Sequence, residues 1–590
     1  VEAFSLAADV KDGGIERGTA ALIEEARRVN RFGFLPAELQ RAKENLARAY
    51  ERAYTERDKT NSASFVNEYV NNFLEREPIP GIAWEYHAVQ TLLPAITLAE
   101  VNDLAQRWIT DSNRVVIVEA PDKPGVEVPT RARLVAVMDS AARVPVTPYT
   151  ETVVAGALLP PITTVGRVVS ERRIPAIDVT EWTLSNGARV VVKPTDYKAD
   201  EVVLNAYADG GTSLAPDSEY ESASLAAQIV GLSGLGRFNS VDLTKKLAGK
   251  VAGVSANIDD DAESLSGHAS PKDLETLFQL IHLEFTGARF DASAYTAFKA
   301  QVADYVANRG ASPEAVFSDT VQVTMAQHDF RDRPLTAKTF AEVNPGDALA
   351  FFKARFAGAG GFTFVFVGNV NLDTLKALSE KYLATLPAGQ PEMWRAVGKG
   401  PPTGVVDRVV HKGVEPKAET VILFTGAVPY TPQNRFAMRA LSDLFQIQLD
   451  RTLREQLGGT YSPGAGGYVT KVPREEYTMT VEFSSSPANV DTLAKAVFAL
   501  VDTLRARGPD SADVEKVREQ LRREHEVEVK QNAFWAGNIA ARLRFGEDPA
   551  GLGAPYTAMI DALSADQLRD AARTYLNAKN YARFVLLPER

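Results

Sequence analysis

The segment ELQRAKENL at residues 38–46 returns in altered form as DVEKVREQL at residues 513–521, 475 positions further along the chain. A second pair, LAEVNDLAQRW at 98–108 and ADQLRDAARTY at 565–575, is separated by 467 positions. Apolar residues in these segments recur at the spacing of a helix face. Because both pairs keep nearly the same separation, the chain is predicted to begin and end with copies of one unit.

Each copy is predicted to close with a strand after its last helix. The strand-like runs are RVVIV at 114–118 and RFVLL at 583–587. A third ending of this kind lies between them, where ALAFFKARF at 348–356 leads into FTFVFV at 362–367. Three occurrences of a helical period followed by a strand run favour three related α+β units, with three unrelated α/β endings as the alternative.

Composition excludes several classes of function. A chain of 590 residues is too long to fold around a single hydrophobic core, so about three to five domains are expected. The net charge of −11 argues against a general nucleic-acid binder, and the lack of cysteine excludes disulfides, thiol catalysis and Cys-ligated zinc. The sequence contains no run of about 18 apolar residues, so it predicts no membrane-spanning helix. The amino-terminal VEAFSLAADV does not resemble a signal peptide, and we expect the chain to begin inside a domain.

The domain division follows from breakers and prolines. Residues 120–176 are rich in proline, which disfavours regular helix and central strands, and are predicted to be a linker. Two further α+β domains are predicted at 177–390 and 403–590, separated by the breaker cluster GKGPP at 398–402.

A hairpin is predicted where the third domain begins. In WTLSNGARVVV at 182–192, Asn186 and Gly187 stand between two apolar runs. An Asn-Gly pair tolerates positive φ at both central positions, so the sequence predicts a type I′ turn.

Several segments resemble the pitrilysin/insulysin-type metallopeptidases, or inverted zincins. LSNGARV at 184–190 and YADGGTS at 207–213 resemble the opening hairpin and the following strand of that family's domains. FVGNV at 366–370, with the helix through Tyr382, resembles the closing strand, turn and helix, and Gly33-Phe34 resembles part of a second domain. The resemblance covers nearly the whole chain, and its motifs are mostly signals of fold.

The resemblance implies an α+β bacterial clamshell of two halves, built from repeated domains that each pack helices on a mostly antiparallel sheet. Residues 1–119 would be the remainder of the second domain, and 120–176 the linker between halves. Residues 177–390 would be a third, degenerate domain without zinc, and 403–590 a fourth domain.

The family's zinc motif, His-x-x-Glu-His, does not occur in this chain. In the third domain the alignment places Ser224, Ala227 and Gln228 where the metal residues would be, and these form no zinc ligand set. The resemblance therefore implies no metal site here, and zinc bound by an amino-terminal partner chain that carries the motif.

One motif in the fourth domain is predicted to carry chemistry. In RTLREQLGGTYS at 451–462, Gly458 and Gly459 are expected to end a helix at a left-handed cap, with a strand beginning near Tyr461. The family has an Arg and a Tyr seven residues apart around such a turn, and Arg454 and Tyr461 match that spacing. The resemblance implies that Arg454 and Tyr461 bind substrate and stabilise the oxyanion, with Gly459 beside the substrate.

The local sequence alone also permits a structural role for this pair. Arg454 would then cap its own helix, and Tyr461 would be a strand aromatic. Arg451 is a second candidate arginine, but its spacing to Tyr461 does not match.

The predicted function is the carboxyl-terminal, non-zinc portion of a zinc metalloendopeptidase that hydrolyses peptides or small unfolded proteins in a closed chamber. It would be active only as a heterodimer with the amino-terminal catalytic chain. The alternative is a catalytically inactive structural or peptide-binding subunit of the same fold. By family resemblance the location is predicted to be periplasmic or otherwise exported, with the cytoplasm as the alternative.

Overall fold

The computed structural model describes residues 4–120, 126–151 and 156–589. Parts of the predicted second domain, linker and fourth domain, at 1–3, 121–125, 152–155 and 590, lie outside the described residues. The α-helices are α1 Ile15–Phe32, α2 Pro36–Thr55, α3 Val66–Glu75, α4 Ile82–Leu92, α5 Leu98–Trp108, α6 Arg131–Ala141, α7 Tyr220–Ser224, α8 Ala226–Ser233, α9 Ser240–Lys246, α10 Leu274–Thr286, α11 Ala292–Arg309, α12 Pro313–Met325, α13 Ala337–Phe340, α14 Pro345–Arg355, α15 Leu372–Leu378, α16 Pro432–Leu449, α17 Val490–Arg507, α18 Ser511–Glu528, α19 Asn532–Arg544, α20 Ala554–Asp561 and α21 Ala565–Tyr575.

The strands form two sheets of the same design. They are β1 Val168–Ile174, β2 Val179–Leu184, β3 Arg189–Pro194, β4 Val202–Asp209, β5 Ala252–Ile258, β6 Ala262–Ala269, β7 Thr363–Gly368, β8 Val405–His411, β9 Ala418–Ala427, β10 Gly464–Thr470, β11 Glu476–Ser485 and β12 Tyr581–Leu587. The first sheet has the order β1-β2-β3-β7-β4-β6-β5, and the second β10-β11-β9-β12-β8. Read from the opposite edge, the second sheet repeats the last five strands of the first.

Each sheet contains a single parallel pair, β3 with β7 and β8 with β12, and all other neighbours are antiparallel. The predicted α+β fold class with mostly antiparallel sheets is confirmed.

The two sheet domains exchange helices, which explains why their central strands are buried on both faces. Helix α19 packs Trp535, Ile539 and Ala540 on the first sheet, against Val191 and Val365. Helix α12 lies between β6 and β7 of the first sheet in sequence, yet it covers the second sheet. It packs Phe317, Val321 and Met325 against a set of residues from that sheet, Leu423, Phe584 and Leu586. Continuous apolar runs such as β7 are therefore buried on both sides and lose the alternation of a half-exposed strand.

The repeated segments of the sequence fold as equivalent helices. The first pair lies in α2 and α18, and the second in α5 and α21. Helices α5 and α21 both begin at a capping box, in which a hydroxyl residue and the third helical residue satisfy each other's backbone N–H groups.

The prediction of a strand at 114–118 is wrong. These residues form no strand, and Val115 and Ile117 are 83% and 79% exposed. The reason is that no strand occurs among the described residues 4–120, so nothing there can complete a ladder.

Residues 4–120 form a helical layer without a core of its own. Ile15 is the only buried apolar residue among them. Large apolar side chains stand exposed on this layer: Val66, Tyr69, Val70, Phe73, Leu74, Trp84, Leu92 and Trp108. Exposed apolar areas of this kind are typical of interaction surfaces.

Buried polar contacts attach the helical layer to the first sheet domain. Arg48 of α2 places Nη2 2.7 Å from Oδ2 of Asp200, and both residues are buried. Glu56 accepts the backbone N–H of Asp200 at 2.6 Å. In the linker, Glu151 pairs with Arg41 of α2 and Lys245 of α9.

Two local expectations need correction. The proline-rich linker was expected to contain no regular helix, but α6 occupies a proline-free window between Pro129 and Pro145. Strand β1 also lies within 120–176 and pairs with β2. The division into domains stays a prediction.

The hairpin at Asn186–Gly187 forms, but its turn is not type I′. Only Gly187 has positive φ, and its N–H donates to Leu184 O at 2.9 Å. The connection is therefore a type I turn closed by a left-handed glycine. Asn186 instead uses its side-chain amide to bind the carbonyls of Leu383 and Leu386.

Candidate functional site

Arg454 lies in an irregular extension of α16. Residues Asp450–Gln456 form a π-helical segment that follows Leu449 directly. Such insertions occur frequently at functional sites, because the wider turn redirects side chains. Gly458 then adopts φ +59, so the predicted left-handed glycine is confirmed at this position.

Gly459 is required for packing and does not have positive φ. A Cβ atom at this position would lie 2.6 Å from Cδ2 of the buried Leu493 in α17, so a side chain here would require either Leu493 or the turn to shift. The turn is also tied to α16 by Gln446, which donates to Pro463 O at 2.9 Å and accepts the N–H of Ala465 at 2.8 Å. Sequence reasoning missed Gln446, because no local motif connects it to a turn that begins eleven residues later.

The structure brings Arg454 and Tyr461 together. The guanidinium carbon of Arg454 lies 5.4 Å from the centre of the Tyr461 ring, within the range of a cation–π contact. Both side chains are exposed, and Tyr461 is 83% exposed. Within the described residues, neither has a hydrogen bond or ion pair.

The strand expected near Tyr461 begins three residues later, at Gly464 of β10. Tyr461 is therefore not a strand aromatic, and Arg454 does not hydrogen-bond the carbonyls of its own helix. The pair presents a cation and a phenol hydroxyl to solvent. Their predicted catalytic and substrate-binding roles remain predictions.

Arg451 has a structural contact that separates it from Arg454. Its Nη2 lies 2.6 Å from Oδ1 of Asp513, whose side chain is only 2% exposed. Burial acts to raise the pKa of Asp513, but hydrogen bonds from Arg451 and Gln448 outweigh it and hold this pKa below the ordinary value. Arg451 thus joins the end of α16 to the start of α18.

The residues aligned with metal ligands do not form a metal site. The segment that carries them is divided at Leu225 into two helices, α7 and α8. The Ser224 hydroxyl donates to Glu221 O at 3.1 Å, Ala227 has no ligand atom, and Gln228 is exposed. In the part of the chain that the structure describes, no three His, Cys, Asp or Glu residues lie close enough to hold a metal ion. The residues present do not fit zinc.

Among the described helices, none has the length and apolar character needed to cross a bilayer.

Comparison with known proteins identifies relatives in sequence and in structure. A family model described as Peptidase M16 inactive domain matches residues 342–521. The Arabidopsis thaliana protein named Zinc protease PQQL-like is 25% identical over 590 residues, which is 95% of this chain and 59% of that protein.

Two solved structures share the fold over nearly all of the chain. The periplasmic protease PqqL from Escherichia coli has a TM-score of 0.67 at 21% identity, covering 97% of this chain and 63% of that one. The ferredoxin protease FusC in complex with Arabidopsis ferredoxin has a TM-score of 0.70 at 18% identity, covering 99% of this chain and 64% of that one. This chain therefore spans less than two thirds of the length of these relatives.

The predicted family resemblance is confirmed by the sequence relatives, which are zinc proteases, and by the matched domain, which is the one described as inactive. Residues 342–521 therefore match the Peptidase M16 inactive domain, and the chain as a whole is a homologue of PqqL-like zinc proteases.

Proposed function

We propose that this chain is the carboxyl-terminal, non-zinc portion of a zinc metalloendopeptidase, and that it completes the active site of an amino-terminal catalytic chain. The substrates would be peptides or small unfolded proteins held in a closed chamber. The observation that carries the proposal is the exposed Arg454–Tyr461 pair, whose members contact each other and no other described residue by hydrogen bond or ion pair.

The chemistry of the pair suits the transition state of peptide hydrolysis. Attack on a peptide carbonyl develops negative charge on its oxygen. The Arg454 guanidinium supplies a permanent positive charge with several N–H donors, and the Tyr461 hydroxyl supplies a further donor. Zinc held by the partner would activate water, and the residues of this chain would bind and orient the substrate carbonyls.

The turn is suited to hold these donors in place. Gln446 binds its far end, and Leu493 packs on Gly459 in its middle. Donors fixed before the reaction need no reorganisation when charge develops.

The helical layer 4–120 supports an amino-terminal partner. Its apolar side chains are exposed, and the run at 114–118 has strand character without a strand to pair with. A sheet from the partner would cover these side chains and pair with this run. The heterodimer is therefore part of the proposal.

The test is to purify the chain together with the amino-terminal catalytic chain, quantify zinc, and measure cleavage of a quenched fluorescent peptide. Arg454→Ala should lower kcat/KM by about 10²-fold, the effect of losing one oxyanion donor. Tyr461→Phe should lower it by up to about 10²-fold, because it removes one donor, the hydroxyl, while the ring remains. Zinc content should not change in either variant.

Arg507→Ala is the matched control. Arg507 is an exposed arginine at the end of α17, and it has no ion pair to another described residue. Its removal should leave turnover unchanged. Full turnover in Arg454→Ala would contradict the proposed role of the pair.

The alternative is a catalytically inactive structural or peptide-binding subunit. A partner sequence without His-x-x-Glu-His, or a complex without zinc, would favour it. We also propose a periplasmic location, because the related PqqL from Escherichia coli is described as periplasmic. Fractionation of the native host would test this.

A further inference from the structure

A cavity of about 480 Å³ lies in the second sheet domain, between the first half of α16 and the helices α20 and α21. This volume is typical of sites that bind small molecules, which measure about 300–1,000 Å³. Large buried side chains form its floor, and alanines leave the space above them open. The floor includes Phe436, Leu568 and Tyr575, and the alanines include Ala437, Ala562 and Ala571.

The first sheet domain places an aromatic side chain where this cavity has an alanine. Helix α14 precedes β7 and helix α21 precedes β12, and these two strands hold equivalent positions in their sheets. Each helix has 11 residues and follows a polar N-cap, Asn344 or Ser564. The seventh residue of α14 is Phe351, which packs against the core of the first sheet domain. The seventh residue of α21 is Ala571, so the second domain lacks a ring at this position.

An ion-pair network closes the same region of the first domain. Arg333 places Nη2 2.7 Å from Glu221 of α7 and 2.8 Å from Glu342, and α7 packs against α14. Glu342 lies two residues before the N-cap of α14, and the residue at that position before α21 is Ala562. Because alanine forms no ion pair, the second domain lacks this network and its cavity stays open.

The charge of the lining favours a neutral ligand. Asp570 is the one charged residue among the described residues that line the cavity, and it lies 3.4 Å from Arg569 and 3.2 Å from Arg573. Its charge is therefore already compensated. The amides of Gln433 and Gln567 are exposed at the rim. The Oε1 atom of Gln567 accepts a backbone N–H before α21 at 2.9 Å, which leaves its NH₂ group to donate to a ligand.

We propose that this cavity binds a small neutral molecule that has an aromatic ring and a carbonyl or amide group. The ring would occupy the place that Phe351 has in the first domain and would pack on Phe436 and Leu568. The carbonyl oxygen would accept a hydrogen bond from the side-chain amide of Gln433 or Gln567.

The cavity and the Arg454–Tyr461 pair lie at opposite ends of α16. Asn434, which lines the cavity, is near the start of this helix, and Arg454 is beyond its end. At 1.5 Å per residue, about 30 Å of helix separates them. Binding in the cavity therefore does not depend on the proposed function of the pair, and it is measured without turnover.

The test measures binding of indole-3-acetamide, a neutral aromatic amide, to the whole 590-residue chain by saturation-transfer NMR. The wild type should show saturable binding. Ala571→Phe should weaken it at least about tenfold, because the new ring fills the space that the ligand needs. The matched control is Ala499→Phe, which adds the same ring at an exposed position of α17 that does not line the cavity, and it should bind as the wild type does.

Thermal unfolding of each variant shows whether it folds. Ala571→Phe should unfold at or above the wild-type temperature, because it fills an open space. If it unfolds earlier, Ala562→Leu replaces it, since Ala562 is exposed and leucine narrows the opening without entering the core. Ala562→Leu should weaken binding at least about threefold.

No saturable binding by the wild type, or equal binding by the wild type and these cavity variants, would overturn the inference. Analytical ultracentrifugation covers another occupant. Association of the wild type that grows with protein concentration and is abolished in Ala571→Phe would assign the cavity to a second copy of this chain, and would also overturn the inference.

Discussion

Arg451 and Arg454 lie one helical turn apart, and the structure gives them different roles. Arg451 binds the buried carboxylate of Asp513, whereas Arg454 contacts only the exposed ring of Tyr461. We therefore expect Arg451→Ala to lower the stability of the part of the chain that contains the second sheet. Arg454→Ala should leave that stability unchanged.

The size of the expected loss of stability depends on the contacts that Asp513 keeps when Arg451 is removed. Breaking a fully buried ion pair costs about 3–5 kcal/mol. Arg451 is itself 37% exposed, and Asp513 keeps a hydrogen bond from Gln448 at 3.2 Å. Asp513 also lies in the first turn of α18, where the helix dipole favours a negative charge. We therefore expect about 2 kcal/mol for Arg451→Ala, a fall of about 4–8 °C in the thermal transition of a domain of this size.

Scanning calorimetry of the whole chain at neutral pH, with the two variants side by side, measures the difference. The double variant Arg451→Ala, Asp513→Asn should recover part of the loss, because it removes the uncompensated buried charge. The pKa of Asp513 is lowered by folding, so its stabilisation is present above the unfolded value and is lost as pH falls through the folded one. The difference between wild type and Arg451→Ala should therefore shrink in strong acid. Equal stability of Arg451→Ala and wild type, or equal loss in Arg454→Ala, would refute the reasoning.

Two further variants test the interior of the fold. Burial raises the pKa of Glu284 to about 8, and no described residue binds its carboxyl group; wild-type stability should therefore fall as pH rises from about 4.5 to about 8. Glu284→Leu should remove this pH dependence and raise the free energy of unfolding at pH 8 by on the order of 2 kcal/mol, measured by urea unfolding. A pH profile of stability that does not differ from that of the wild type would contradict this prediction. Asp200→Asn should leave Arg48 poorly paired and lower the free energy that attaches the helical layer by about 3 kcal/mol, which hydrogen exchange would detect as faster exchange in α2. The control is Lys272→Met, which breaks an exposed pair with Glu51 at 3.3 Å and should not change exchange in α2.

The repeat in the sequence predicted the architecture because its signals are local. Helix period, capping residues and β-branched runs all act within a few residues of each other, so α5, α21 and β7 form where their patterns lie. The position of the Asn186–Gly187 hairpin was predicted for the same reason. Its turn type was not, because the amide of Asn186 is held by two distant carbonyls that the local sequence does not reveal.

The failures come from contacts between distant parts of the chain. A strand at 114–118 needs a neighbouring strand, and the local pattern cannot say whether one exists. The exchange of α12 and α19 between domains left no signal either, because a helix with an apolar face does not indicate which sheet it will cover. At the site, the family resemblance favoured Arg454 over Arg451 through its spacing to Tyr461. The structure adds a buried partner, Asp513, for Arg451, which the local sequence does not reveal.

The helix exchange bears on how the site is held. Because each sheet domain covers the other's sheet, separating them would expose both apolar faces, and Arg544 would also lose its contacts at 2.9 Å to Asp209 and 2.6 Å to Asp261. The two domains therefore form one body. The turn that carries Arg454 and Tyr461 is attached to that body at α16 and α17. The fold therefore sets the backbone positions from which Arg454 and Tyr461 extend into solvent.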